Sequence, residues 1–186
     1  MAPKVKITRE DIVSTALDIV RKDGAQAVNA RSIAAKLNCS TQPLFTNFSS
    51  MEELDLAVIK EGIALIEEYI KREIQSGQYP EYKASGMAYI RFAKEEKELF
   101  KYLYMRDSDG NHTSEEKGNF SNMESLVHNN TGLAGDGATI FHLEMWAVVH
   151  GIATMFATNY LALDWNLVDK MLTDVYLGLR KQYGME

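Results

Sequence analysis

The chain has 186 residues, 46% hydrophobic and 25% charged, which is enough apolar material for a substantial core and excludes a polypeptide dominated by disorder. Its formal net charge is −6 and it has one cysteine, so no internal disulfide can form and the composition agrees with a reducing compartment. No apolar run approaches the roughly 20 residues that cross a bilayer, and the opening MAPKVKITRED lacks the apolar centre of a signal peptide; the expected location is cytoplasmic, without a membrane partner.

The first helix is expected from Thr8 to Lys22. Thr8 serves as N-cap, Glu10 and Asp11 sit in the electropositive first turn, and Ile12, Ala16, Ile19 and Val20 recur at helical spacing until Gly24 stops the run. Lys4 and Lys6 before this helix and Arg9 at its start are three cations near the N-terminus, read either as a flexible arm toward phosphate or as a solvated tail. The segment NARSIAAKLNCSTQPLFTNF, Asn29 to Phe48, then holds a short amphipathic helix capped by Asn29, a polar break at Asn38 and Cys39, and a second helix capped by Ser40 with Pro43 in its first turn. This is the layout of a helix-turn-helix. Packing through Ile12, Ala16, Leu17, Ile33, Leu37, Leu44 and Phe48 leaves Thr41, Gln42, Thr46 and Asn47 pointing outward.

The net charge opposes DNA binding until it is divided. Residues 1–50 carry seven Lys or Arg against four Asp or Glu, a balance of +3, which leaves −9 for the rest. A basic head on an acidic body concentrates the attraction for phosphate at one end, and so modest a charge per chain calls for two heads acting together.

A long connector helix is expected from about Met51 to Ile74, with Leu56, Ile59, Ile63, Ile66 and Ile70 inward. SGQYPEY breaks it. A second body helix is expected from Ala84 to about Met105, directing Tyr89, Phe92, Leu99, Phe100 and Leu103 inward, with KEEKE in its middle. Residues 107–118 read as a solvated loop, a short helix runs from about Asn119 to His128, and TGLAGDG is a second break. Two long helices close the chain, about Ala138 to Thr158 and, after an Asp164 cap, Trp165 to about Tyr183. Both are apolar on more than one face. Val168, Leu172, Val175 and Leu179 form a heptad-like seam, so two helices from each of two chains can make a four-helix homodimer interface. No strand signal or repeat is present and the fold class is all-α: a three-helix head, residues 1–50, on a larger helical bundle, residues 51–186.

From ITREDIV through MEELDLAVI, about the first third of the chain, the sequence resembles the N-terminal DNA-binding domain of the TetR family of transcriptional regulators. The pattern is spread out, with helix, glycine, helix, Cys39-Ser40 turn, Leu44-Phe45 and Phe48 followed by Met51-Glu52-Glu53-Leu54 in register. A shorter likeness lies downstream, where Trp146 to Ile152, with His150 and Gly151, look like the tryptophan-histidine-glycine signature of one C-terminal ligand-binding subgroup. The resemblance implies a homodimeric repressor whose two heads enter successive major grooves of a near-palindromic operator. An effector in the body would shift the connector helix and release the DNA. Three positions depart from the usual pattern: Phe45 and Asn47 stand where most members have a tyrosine pair, and Met51 where a lysine commonly opens the connector.

Gln42 and Asn47 have amides suited to adenine edges and Thr41 and Thr46 methyls suited to thymine. With Pro43 and Phe45 they make up the expected base-reading and sugar-phosphate surface, while Arg31, Lys36 and the helix starts at Asn29 and Ser40 are candidates for phosphate. Cys39 is expected to be buried as a small hydrophobe. Tyr69, Tyr89, Phe92, Tyr102, Met105, Met123, Trp146, His150 and Met155 are the candidate lining for a small apolar or amphipathic effector, because methionine adapts its shape and tyrosine adds a hydroxyl; a packed core reads the same way. His112, His128, His142 and His150 have no metal-site spacing, and no phosphate loop or nucleophile elbow is present, so neither a cofactor nor catalysis is expected. Two other readings stay open: a co-regulator of this fold that binds a protein partner, and a helical enzyme or carrier.

Overall fold

The computed structural model describes residues 7–106 and 125–185, all helices, turns and loops with no strand among them. Lys4, Lys6, His112, Met123 and the loop expected at 107–118 lie outside the described residues.

Helix α1 (Arg9–Asp23) starts at a reciprocal cap: the Thr8 hydroxyl accepts from the Asp11 amide at 3.1 Å and the Asp11 carboxylate from the Thr8 amide at 2.9 Å. Gly24 ends it at φ 84°, a value that a side chain would strain, with its amide donating to the Val20 carbonyl. After a 3₁₀ turn at Ala25–Ala27, α2 (Ala30–Lys36) begins at Asn29, whose Oδ1 accepts from the amides of Arg31 and Ser32 at 3.0 Å each. Asn29→Ala is expected to cost about 1 kcal/mol of head stability, measurable as a shift of the urea midpoint at constant slope.

Helix α3 (Gln42–Asn47) corrects the expected cap. The cap residue is Thr41, not Ser40, and its side chain makes no capping bond. Thr41 already has helical backbone angles, φ −72° and ψ −12°, and its carbonyl takes the amides of Leu44 and Phe45; with Pro43 lacking an amide, little is left for a side chain to satisfy.

Helix α4 (Met51–Gln75) is continuous, as expected, but its buried seam is Leu54, Val58, Ile59, Ile63 and Ile66, and Leu56 is exposed. The single body helix expected over Ala84–Met105 is two, α5 (Glu81–Glu95) and α6 (Lys97–Tyr104). Glu96, at φ −114° and ψ 52°, leaves the helix within the KEEKE stretch, and its carboxylate is held by Arg21, Nε at 2.8 Å and Nη2 at 2.6 Å. Residues 125–131 form α7, followed by α8 (Gly135–Ala157) and α9 (Trp165–Gln182), the latter capped by Asp164 as expected.

Two compact units emerge. The described residues of Met1–Leu65 and Glu96–Arg106 form one, and those of Ile66–Glu95 and Asp107–Glu186 the other. In the first, Ile12, Ala16, Ile33, Leu44, Phe48, Leu54 and Leu99 are buried, while Leu37 and Cys39 are only half-buried, against expectation. Gly62 of α4 lets α6 approach closely: a Cβ there would stand 3.1 to 3.3 Å from the Leu99 and Leu103 methyls. Tyr102 donates to Asp55 Oδ1 at 2.5 Å, and burial, followed by that carboxylate, raises the phenol and keeps it protonated.

In the second unit, α5, α7, α8 and α9 share a core centred on Tyr82, Val127, Ala138, Phe141 and Met145. The seam Val168, Leu172, Val175 and Leu179 faces this core rather than a partner: Val168 and Leu172 are buried and the other two pack against the cluster. Periodicity marks a face but not what covers it. The membrane reading also needs correcting, because α8 is long and apolar enough, by length and composition alone, to cross a membrane; in this fold Ala138, Phe141, Met145, Ile152 and Phe156 of that helix are buried in the core.

Candidate nucleic-acid interface

Leu44 and Phe48 anchor α3, at 1% and 3% exposure, and turn its other side outward. Gln42, Phe45 and Thr46 are exposed, and Thr41, Pro43 and Asn47 half-buried. The polar side chains are not equally available. Thr46 Oγ1 donates to the Gln42 carbonyl at 2.9 Å and Asn47 Nδ2 to the Pro43 carbonyl at 2.8 Å, so Thr46 offers chiefly its methyl and Asn47 its Oδ1 and one remaining N–H. Gln42 is the exposed amide, and Phe45 beside it is 55% exposed. On α2, Arg31 and Lys36 are exposed; Asn29 and Ser40 are exposed too, but the Asn29 oxygen is engaged in its cap.

The place of Arg9 in the head was also misread from sequence. Arg9 is part of α1, where its guanidinium meets Asn47, Phe48 and Glu53. The available signal was a cation at the first position of a helix, opposite to the preference of the helix dipole.

The residues expected to line an effector site fall into separate groups. Tyr89, Trp146 and His150 converge in the second unit: the Tyr89 hydroxyl lies 3.0 Å from His150 Nδ1, and the Trp146 and His150 rings stack with centroids 4.6 Å apart. Tyr69 meets Phe92 edge-on at 5.4 Å; Phe92 is fully buried, and Met155 is half-buried. Tyr102 and Met105 belong to the first unit, one bound to Asp55 and the other 44% exposed. Two turns before His150, His142 Nδ1 lies 3.2 Å from the Tyr82 hydroxyl. Among the described residues no group of three His, Cys, Asp or Glu is placed to hold a metal.

Burial lowers the pKa of both His142 and His150 from 6.5, so the folded chain holds neutral rings. Well above pH 6.5 both states are neutral there; as pH falls through 6.5 the unfolded chain takes up these protons first, so stability decreases as pH decreases through that window. Denaturant midpoints are expected to drop from pH 7.5 to 5.5, and His142→Gln with His150→Gln to flatten that slope.

Residues 82–175, half of the chain, match the family model described as Tetracyclin repressor-like, C-terminal domain. The chain belongs to the TetR family. An uncharacterised HTH-type transcriptional regulator of Mycobacterium tuberculosis is 24% identical, across 100% of this chain and 85% of that protein. A TetR-like transcriptional regulator from Rhodococcus sp. RHA1 shares the fold with a TM-score of 0.69 at 16% identity, covering 99% of this chain and 100% of that one. A protein of unknown function from the same organism superposes with a TM-score of 0.79 at 20% identity, covering 96% and 98%. The present TetR-family chain is thus a transcriptional regulator of the DNA-binding helix-turn-helix type, a family whose members act as dimers.

Proposed function

We propose that this chain is a cytoplasmic, homodimeric repressor that binds a near-palindromic operator and leaves it when a small apolar or amphipathic effector binds. The observation that supports this reading is the outward face of α3: Gln42, Phe45 and Thr46 are exposed on a short helix whose opposite side is buried, beside exposed Arg31 and Lys36. Residues 1–50 carry the DNA contacts. Gln42 and Thr41 supply hydrogen bonds to bases, Phe45 and the Thr46 methyl apolar contact to thymine, Asn47 and Pro43 the flank, and Arg31, Lys36, Asn29 and Ser40 phosphate contacts.

Residues 51–186 carry dimerisation and effector binding. With the Val168 seam turned inward, dimerisation falls to the apolar side chains left outside, Ile140 and Leu143 of α8 at 51% and 44% exposure and Leu167 and Leu177 of α9 at 45% and 55%. The effector site centres on Tyr89, Trp146 and His150, which converge in the second unit. Release requires only that the effector favour the geometry that does not fit DNA, since equal affinity for both shifts nothing.

A salt titration against duplex DNA from upstream of its own gene, with a scrambled duplex of equal length, tests the reading. Selective binding, lost in Gln42→Ala with Thr46→Ala, is expected. Equal, weak binding to both duplexes would instead assign exposed Phe45 to a protein partner.

A further inference from the structure

Helix α3 has six residues, and Leu44 is its one buried side chain, so packing alone leaves its direction weakly determined. Arg9 supplies a second fixing point. Its Nη1 donates to the Asn47 carbonyl at 2.7 Å, at the electronegative end of α3, where a cation is favoured. Its Nη2 pairs with Glu53 at 2.9 Å in the first turn of α4, and the guanidinium carbon stands 3.9 Å from the centroid of the buried Phe48 ring. The other oxygen of Glu53 accepts from the Ser49 amide at 2.8 Å and the Ser49 hydroxyl at 2.7 Å. These bonds, the Ser49 amide first and Arg9 after Ser49, hold the carboxyl at about 2, well below 4.5, so the pair keeps its charge at neutral pH. The link between α3 and α4 is thereby held from both sides.

Resting on the reading of α3 as the DNA-contacting helix, we propose that Arg9 and Glu53 are positioning residues for operator recognition: their ion pair ties the end of α3 to the start of α4 and sets the direction in which Gln42, Phe45 and Thr46 meet the groove. A change in the first turn of α4 then reaches the recognition surface directly, without passing through the packed core of the head.

A plain phosphate contact by Arg9 makes different demands. Its loss would weaken specific and nonspecific DNA alike and lower the salt dependence by about one contact. Loss of a positioning residue weakens the specific complex and leaves both the scrambled duplex and the salt slope unchanged.

The test measures Arg9→Met, Arg9→Lys and Glu53→Gln against the duplex that the wild-type chain selects from a randomised pool, with a scrambled control, at several salt concentrations, alongside thermal unfolding of each variant. Glu53→Gln decides. Removing a negative charge near DNA tightens binding to both duplexes if charge alone matters, whereas lost positioning weakens the selected duplex by up to about fivefold, the upper worth of an ion pair whose side chains are 42% and 38% exposed. Glutamine still accepts from Ser49, so the variant is expected to fold. Arg9→Lys keeps the charge but not the two-armed geometry and is expected to recover little. Glu53→Gln with unchanged or tighter selective binding overturns the proposal, as does Arg9→Met with parallel loss on both duplexes and a reduced salt slope. A wild-type chain that selects no duplex at all removes the reading of α3 itself, an outcome distinct from either.

Discussion

Gln42→Ala is expected to weaken binding to the selected operator by about 1–3 kcal/mol per half-site, and a symmetric dimer loses both contacts at once. Gln42 is the exposed amide of α3, and its side chain has the donor and acceptor that an adenine edge requires. Lys36→Ala is the contrasting variant. A surface lysine facing phosphate should weaken every duplex to a similar degree and reduce the salt slope by about one. Fluorescence anisotropy with selected and scrambled duplexes separates the two behaviours: Gln42→Ala compresses the ratio between duplexes, and Lys36→Ala shifts both curves together. A Gln42→Ala protein with unchanged selectivity would move base reading elsewhere on the head.

Phe141→Ala is expected to destabilise the second unit by about 3–5 kcal/mol. The ring is fully buried and lies 5.6 Å from Tyr183, 5.9 Å from Tyr176 and 6.3 Å from Tyr82, between centroids. Removing it empties a volume bounded by α5, α8 and α9 that rigid neighbours cannot refill, and it deletes three aromatic contacts. Denaturant unfolding followed by near-ultraviolet circular dichroism measures the loss. Ile140→Ala, next along the same helix and 51% exposed, should change the unfolding free energy of the isolated chain by no more than about 0.5 kcal/mol. Its effect belongs to self-association, as a concentration-dependent shift in sedimentation.

Most local parts of this fold were legible in the sequence, the cap of α3 excepted, and the non-local parts were not. Thr8, Asn29, Asp164 and Gly24 act on backbone groups within a few residues of themselves, so their caps and stop could be read directly. The break at Glu96 could not, because the cation that holds its carboxylate, Arg21, is 75 positions away. The inward turn of Val168 and Leu172 was missed for a related reason: their spacing suits a partner helix and a core equally well. Thr46 and Asn47 showed the right chemistry for base contact, but helical geometry brings each onto a carbonyl four residues back and takes up part of it. The aromatic and methionine side chains considered for one effector site were distributed by topology, since Tyr102 sits in the unit that contains the head and Tyr89 in the other. Residue type alone carries no such address.

Selection from a randomised duplex pool by the full-length chain, followed by footprinting of the enriched duplex, tests the central claim most directly. The account predicts an enriched inverted repeat, protected in two successive major grooves with half-site centres about one helical turn, or a multiple of it, apart, and lost from the pool when Gln42 is replaced by alanine. A pool that shows no enriched motif, with protein bound evenly and weakly throughout, would contradict it.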